Sequence, residues 1–408
     1  MALRMVAALT RREHVNTALQ LACGFLATHN ARTLAWQCDV TRIAAPTGNE
    51  ARRGQWMAAQ FASIGWSDVM TDRVGNVIAR RPVEPGAPSR AHAGAVWCCA
   101  HLDTVFSIES PVVQQVGARL TGPGIGDNGR GLAALLAIGH AMQQASLVTL
   151  HDVVLACTVG EEGLGDLRGI KQLMQDAAPA PLAVIAIDGA GDDRIVNAAL
   201  GSTRWRITFR GPGGHSWADY GLVNPVHAAA SATALLQVVA LPREPRTTLT
   251  VARIGGGDSI NSIPPDAWLE VDMRSISAPV LADLERTLRQ VVARVERVEN
   301  GRRLPDTPAL TSEIQQIGAR PCGVTSPDAP LLRIARQVTR DAGGTPRLAT
   351  ASTDASVPIA MGVPAIAIGG GGRGGGTHTS QEWYDDTDGV AGLQRALRII
   401  AGAAGCRA

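Results

Sequence analysis

Apolar positions along the chain fall into two textures. Up to about residue 190, and again from roughly Gly318, short unbroken apolar runs alternate with stretches of helical spacing. In the first of these regions, helical spacing covers about 15–45, and Pro46-Thr47-Gly48-Asn49 breaks it before a second helix over 51–64. A strand, turn and strand follow over 69–80 around Gly75-Asn76. The runs 96–101, 153–158 and 183–187 read as buried strands, with a more polar strand over 112–120 and helices over 132–142 and 169–176. Strands that are apolar throughout and alternate with helices imply a mainly parallel sheet covered on both faces, the α/β class.

The middle of the chain reads differently. Arg204 to Arg210 alternates polar and apolar residues, 224–239 has helical spacing, 247–254 and 267–275 read as strands, and 281–298 is an amphipathic helix. Strand, helix, strand, strand, helix resembles a split βαβ unit, a ferredoxin-like α+β lid inserted into the larger domain. The expected division is residues 1–202 and 318–408 for the α/β domain and 203–317 for the lid. After the lid come a helix over 330–342, a helical segment over 350–361, the strand 365–368, a glycine-rich loop and a final helix over 388–401.

Composition narrows the function classes. With 408 residues, 45% hydrophobic and 18% charged, the chain has material for two cores, and its net charge of +2 gives no electrostatic reason to bind nucleic acid. Lys171 is the only lysine, which reads as coding bias. Seven scattered cysteines without a paired CxxC argue against a disulfide framework and for a reducing, cytoplasmic compartment. The N-terminal apolar run, cut by Thr10-Arg11-Arg12-Glu13, is too short for a secretory signal, and no segment reaches the length of a membrane span.

Chemistry gathers at the carboxyl ends of the predicted strands. The first apolar strand ends in His101 with Asp103 two residues on, so the aspartate could accept a hydrogen bond from the ring and fix its tautomer. Taken singly, His101 reads equally well as a core histidine. Asp127 reads as a turn or cap residue, Glu161 and Glu162 as a solvated pair, and Asp188 and His378 as loop residues. Together, two histidines and four acidic residues at turns after strands point to a metal centre, and ligands in open α/β sheets bind at such ends. The run Gly369 to Gly376, interrupted only by Arg373, opens no helix directly, which argues against a dinucleotide site and for close backbone approach to a substrate beside His378. Arg373 reads either as a substrate contact or as a solvated loop residue. Ser352-Thr353-Asp354 reads as a helix cap near the same cleft.

These motifs resemble the co-catalytic zinc peptidase family that includes glutamate carboxypeptidase, succinyl-diaminopimelate desuccinylase, acetylornithine deacetylase, aminoacylase and the tripeptidase peptidase T. The likeness is carried by His101-Leu-Asp103, Gly126-Asp127-Asn128-Gly129, Glu161-Glu162-Gly163, Asp188-Gly189 and His378, and in the lid by Gly213-Gly214-His215-Ser216, Asn261-Ser-Ile-Pro264 and Asp272-Met-Arg274. It spans about residues 40 to 400. It implies two divalent cations, zinc first with cobalt or manganese as alternatives, one held by His101 and Asp188, the other by Glu162 and His378, with Asp127 bridging. It also implies a cis peptide after Asp127, Asp103 as the partner of His101, Glu161 as general base and His215 as the group stabilising the oxyanion, often across a dimer interface. Asn261, Arg274 and Gly376 are the implied substrate-binding positions.

The expected activity is hydrolysis of an amide bond in short peptides. Asp188, where relatives carry Asp or Glu, and the segment His215-Ser-Trp217-Ala-Asp219-Tyr220-Gly221 favour the di- and tripeptidase branch. An N-acyl-amino-acid deacylase or a carboxypeptidase is the alternative within the family. An inactive binding relative is the alternative outside it, and the retention of all six metal and base positions speaks against that.

Overall fold

The computed structural model describes residues 17–66, 68–81 and 94–406. The N-terminal run up to Glu13 lies outside the described residues. Among them the chain forms two compact units, one of the described residues up to 199 together with those from 324 onward, and one of residues 200–323.

The larger unit is built on a mainly parallel sheet. Val96–His101 lies parallel to Val153–Thr158 on one side and to Ala183–Ile187 on the other, and Ala365–Ile368 continues the parallel set beyond Ala183–Ile187. Arg194–Ala199 runs antiparallel to Ala365–Ile368, and Val77–Arg81 antiparallel to Val153–Thr158. Alternation along the central strand divides two cores. Val96, Cys98 and Ala100 pack with helices Gly129–Gln144 and Gly389–Ala403, whereas Cys99 packs with Leu167, Ile170 and Ala355 on the opposite face. Both faces are dry, which is why the central strands Val96–His101, Val153–Thr158 and Ala183–Ile187 are apolar up to their carboxyl ends.

The segment read as helical over 350–361 is a strand followed by a short helix. Arg347–Ala351 pairs in parallel with Arg194–Ala199, and helix Ser356–Ala360 comes after it. A small antiparallel sheet, ordered Arg373–Gly375, Trp383–Asp385, Arg119–Thr121 and Gln114–Val116, joins two distant parts of this unit. The loops leaving it, 122–127 and 376–382, are therefore neighbours.

The smaller unit is a four-stranded antiparallel sheet ordered Thr248–Gly256, Asp266–Ser275, Gly201–Arg210 and Thr311–Arg320. Helices Pro225–Gln237 and Ala278–Asn300 pack on one face of it. Leu281, Leu284, Leu288, Val292 and Val295 form the buried stripe of the longer helix, against Trp205, Ile207, Phe209, Leu269 and Val271. Each such side chain fully removed from water stabilises the unit by about 1.5–3 kcal/mol. Thr311–Arg320 is a strand that pattern reading missed, as it missed Arg194–Ala199 in the larger unit. No helix among the described residues is long and apolar enough to cross a membrane.

Candidate metal centre

His101 is the last residue of its strand, and its ring is buried. Its Nε2 lies 2.9 Å from Asp127 Oδ1 and 3.9 Å from Asp188 Oδ1. The other oxygen of Asp127, Oδ2, lies 3.2 Å from His378 Nε2, and that nitrogen is 2.8 Å from Glu162 Oε1. One carboxylate thus stands between two imidazoles, an oxygen toward each. His101, Asp127 and Asp188 form one group able to hold a cation, and Asp127, Glu162 and His378 form a second.

Each donor is placed by a strand end or a short turn. Asp188 follows Ala183–Ile187 directly, and Glu161 and Glu162 follow Val153–Thr158 after the left-handed Gly160. The peptide between Asp127 and Asn128 is cis. Asn128 caps the helix that follows, its Oδ1 accepting from Gly131 N at 3.0 Å. Its side-chain amide also donates to the Ile187 carbonyl at 2.9 Å, which ties the Asp127 turn to the strand that delivers Asp188. A Cβ on Gly131 would lie 2.1 Å from Asn128 Oδ1, so only glycine fits there.

Asp103 acts differently from the expectation. His101 Nδ1 is 3.0 Å from the Asp103 backbone carbonyl and 3.7 Å from its carboxylate, too far for a hydrogen bond. The strand ends at His101, so the two-residue alternation does not carry through to Asp103. Its carboxylate turns instead to the glutamate pair, accepting from Glu161 N at 2.9 Å and Glu162 N at 3.0 Å, and from Thr47 Oγ1 at 2.9 Å. Burial works against the Asp103 charge, but His101 and these N–H donors hold the carboxyl at about 2.

The imidazoles and carboxylates of the centre shift one another's charge. Burial disfavours the His101 cation, yet the carboxylates of Asp103, Asp127 and Asp188 around the ring outweigh it and raise the ring well above its ordinary pKa. His378 is raised to about 9, chiefly by its hydrogen bond to Asp127. Burial raises Glu162. Imidazole nitrogens and carboxylate oxygens are the donors that zinc and similar divalent cations take, so the residues present fit such ions. Glu161 is buried and lies as close to His101 and Glu162 as ligands would, so proximity alone does not separate ligand from base in this pair.

Other predicted residues are placed as follows. Asp354 is not a helix cap: it is buried, and its Oδ2 accepts from Thr158 Oγ1 at 2.5 Å. The next helix has Ala355 at its cap position, and Thr353 Oγ1 receives Ala355 N. Burial raises Asp354 to about 6. The glycine loop lines the cavity beside the centre and also packs closely on the rest of the chain. A Cβ on Gly369 would meet the Ala190 carbonyl at 2.4 Å, and one on Gly372 would meet Tyr384. Gly376, at φ +69°, makes the turn that presents His378. Arg373 is exposed, 3.6 Å from Asp388. A cavity beside the centre is lined by Asp127, Asp188, Thr353, Arg373, Thr377 and Trp383.

In the smaller unit His215 and Asn261 are brought together. His215 pairs with Ser262, and Ser216 N donates to the Asn261 carbonyl at 3.0 Å. His215 Nδ1 accepts from Trp217 N at 3.1 Å, so the neutral ring carries its proton on Nε2. Arg274 Nε donates to Asp272 Oδ2 at 2.6 Å.

Residues that motif reading passed over hold this centre from behind. Glu50 is buried, pairs with Arg168 at 2.7 Å and accepts from Gly160 N at 3.2 Å, fixing the turn before Glu161. Buried Arg53 donates to the Leu102 carbonyl at 2.6 Å. Glu382 is buried under the Asp127 loop. The signals available in sequence were an acidic residue closing a turn before a helix and another four residues after His378.

The family model described as peptidase family M20/M25/M40 matches residues 97–402. Among solved structures the chain is similar to a tripeptidase of Staphylococcus aureus, at 20% identity over 92% of this chain and 98% of that one, with a TM-score of 0.73. It is similar to the aminopeptidase PepT of Bacillus cereus at 19% identity over 92% and 98%, TM-score 0.72. A di-peptidase of Saccharomyces cerevisiae shares 14% identity over 95% and 98%, again with a TM-score of 0.72. At these identities the likeness is one of fold, and it is the family model, covering most of the chain, that decides membership: the chain belongs to peptidase family M20/M25/M40 and is a metal-dependent hydrolase of peptide bonds.

Proposed function

We propose that the chain is an aminopeptidase acting on di- and tripeptides through two divalent cations, zinc in the cell. The observation that carries the reading is the shared Asp127 carboxylate, one oxygen 2.9 Å from His101 and the other 3.2 Å from His378. His101 and Asp188 would hold one cation, Glu162 and His378 the other, and Asp127 both. Bound there, the cations would polarise the scissile carbonyl and lower the pKa of a water to roughly 7.

Glu161 is assigned the general base, taking a proton from the attacking water and returning it to the leaving amine. Asp103 positions it by holding the N–H groups of Glu161 and Glu162. His215 is assigned the oxyanion, a role supported by the proton on its Nε2. Asn261, Arg274 and Gly376 are assigned to the substrate, Arg274 to a carboxylate. Zinc as the ion and pairing through the lid rest on the family resemblance. A cytoplasmic location rests on cysteines that are all free.

A panel of tripeptides, dipeptides and N-acetyl amino acids, run with zinc, cobalt and manganese, tests the substrate class. Free-amine peptides are expected to turn over, and hydrolysis of acylated amino acids alone would replace this reading with a deacylase. In the same assays Arg274→Ala is expected to raise KM about tenfold or more while kcat holds; an unchanged KM removes it from the site.

The imidazoles give the cations a pH dependence. Metal takes neutral imidazole, and His378 in the cation-free chain keeps its proton up to about pH 9. Apparent affinity for the cation at His378 should therefore climb from pH 7 toward pH 9, by up to about tenfold per unit, and level off above. Cobalt titrations at three pH values check this, and a flat profile contradicts it.

A further inference from the structure

We propose that Glu382 is a positioning residue for the metal centre, fixing the Asp127 loop against the His378 loop so that one carboxylate can serve two cations. The inference rests on the two-cation reading above and concerns a residue with no place in the ligand set.

Glu382 is buried, and three backbone N–H groups converge on its carboxylate. Oε1 accepts from Gly126 N at 2.8 Å and from Asp127 N at 2.7 Å, and Oε2 accepts from Gly124 N at 2.8 Å. Its backbone carbonyl takes Gly122 N at 3.0 Å. The whole 122–127 loop is thus wrapped on one side chain. That side chain belongs to the turn presenting His378, in which Thr379 N donates to the Gly376 carbonyl and Glu382 N to the Thr379 carbonyl. Trp383, the next residue, is in register with Thr121, which anchors both loops to the small sheet. A buried carboxylate satisfied by three peptide donors is a strong, directional anchor.

The two cation groups depend on this anchor unequally. His101 and Asp188 sit on strand ends that Glu382 does not touch. Of the three ligands in the other group, Asp127 and His378 both hang on the loops it joins. Loss of the anchor should therefore weaken the cation at His378, two of whose ligands it holds, much more than the one at His101, of whose ligands it holds Asp127 alone.

The test is cobalt binding to the full chain after chelator treatment, followed by calorimetry and by the cobalt absorption bands. Wild type should take up two equivalents. Glu382→Gln keeps the size but turns an N–H donor toward a backbone donor. It should take the first equivalent with little loss and the second about 10- to 100-fold more weakly, as loss of a residue supporting a metal ligand does. Gly126→Ala, whose Cβ would lie 3.0 Å from Glu382 Oε1, disturbs the anchor without removing it and should weaken the same equivalent. It serves also if the glutamine variant does not fold by circular dichroism. Second-equivalent binding within twofold of wild type in a folded variant, or equal weakening of both equivalents, overturns the proposal alone. A wild-type chain that takes up no cobalt overturns the two-cation reading and this proposal with it.

Discussion

Glu161→Gln is expected to keep both cations and to lose about 10²- to 10⁴-fold in kcat, the usual worth of a positioned general base. The expectation follows from the way the pair is held. Asp103 accepts the N–H groups of both glutamates, one on each carboxylate oxygen, so the peptide run after the strand has a fixed path. Glu162 is extended, with φ −81° and ψ 150°, and its Oε1 meets His378 at 2.8 Å. On the proposed assignment Glu162 serves the second cation group, which leaves its neighbour for the proton. The amide of the variant has the shape of the acid but no basic oxygen to receive a proton. Elemental analysis beside steady-state kinetics reads both halves of the expectation. Near-normal turnover would end the assignment, and loss of a cation together with turnover would make Glu161 a ligand instead. Glu162→Gln should do the reverse, losing the cation and with it the activity.

The parts of the centre that could be read from sequence are those where local pattern and chemistry coincide. A dry strand is apolar at each position, so His101 and Asp188 stand out as the first polar residues after such runs. Glu161 and Glu162 stand out in the same way after Val153–Thr158. What pattern could not carry is which atom of a residue acts. Asp103 meets the His101 ring through its carbonyl because the strand stops at His101, two residues before it, a fact of backbone path and not of residue type. Partners far apart in the chain were equally hidden. Asp354 meets Thr158 and Glu50 meets Arg168 across long stretches of sequence, and without that pairing each reads as an ordinary turn acid. The glycine loop has a reason for its glycines that the sequence does not show. Glycine is needed wherever backbone approaches closely, and here the close neighbours are Ala190 and Tyr384.

Asp127→Ala should have the largest effect on the cations, because it is the one side chain that belongs to both groups. A site of three ligands reduced to two binds far more weakly, and here both sites are reduced at once. Cation content in the purified variant is expected to fall below one per chain and peptide hydrolysis to become undetectable. His378→Ala supplies the contrast: it removes a ligand from one group only, so about one cation should remain, on His101, Asp127 and Asp188. Thermal melting gives a readout independent of activity. A cation at a hundred times its Kd stabilises the fold by about 2.7 kcal/mol. A chelator should therefore lower the wild-type melting temperature by several degrees and leave that of Asp127→Ala where it was. One tightly held cation in Asp127→Ala would assign the aspartate to a single group. Two held as in wild type would mean that the carboxylate between the imidazoles binds neither, and that the 2.9 and 3.2 Å contacts are a proton-sharing bridge in the chain's resting state.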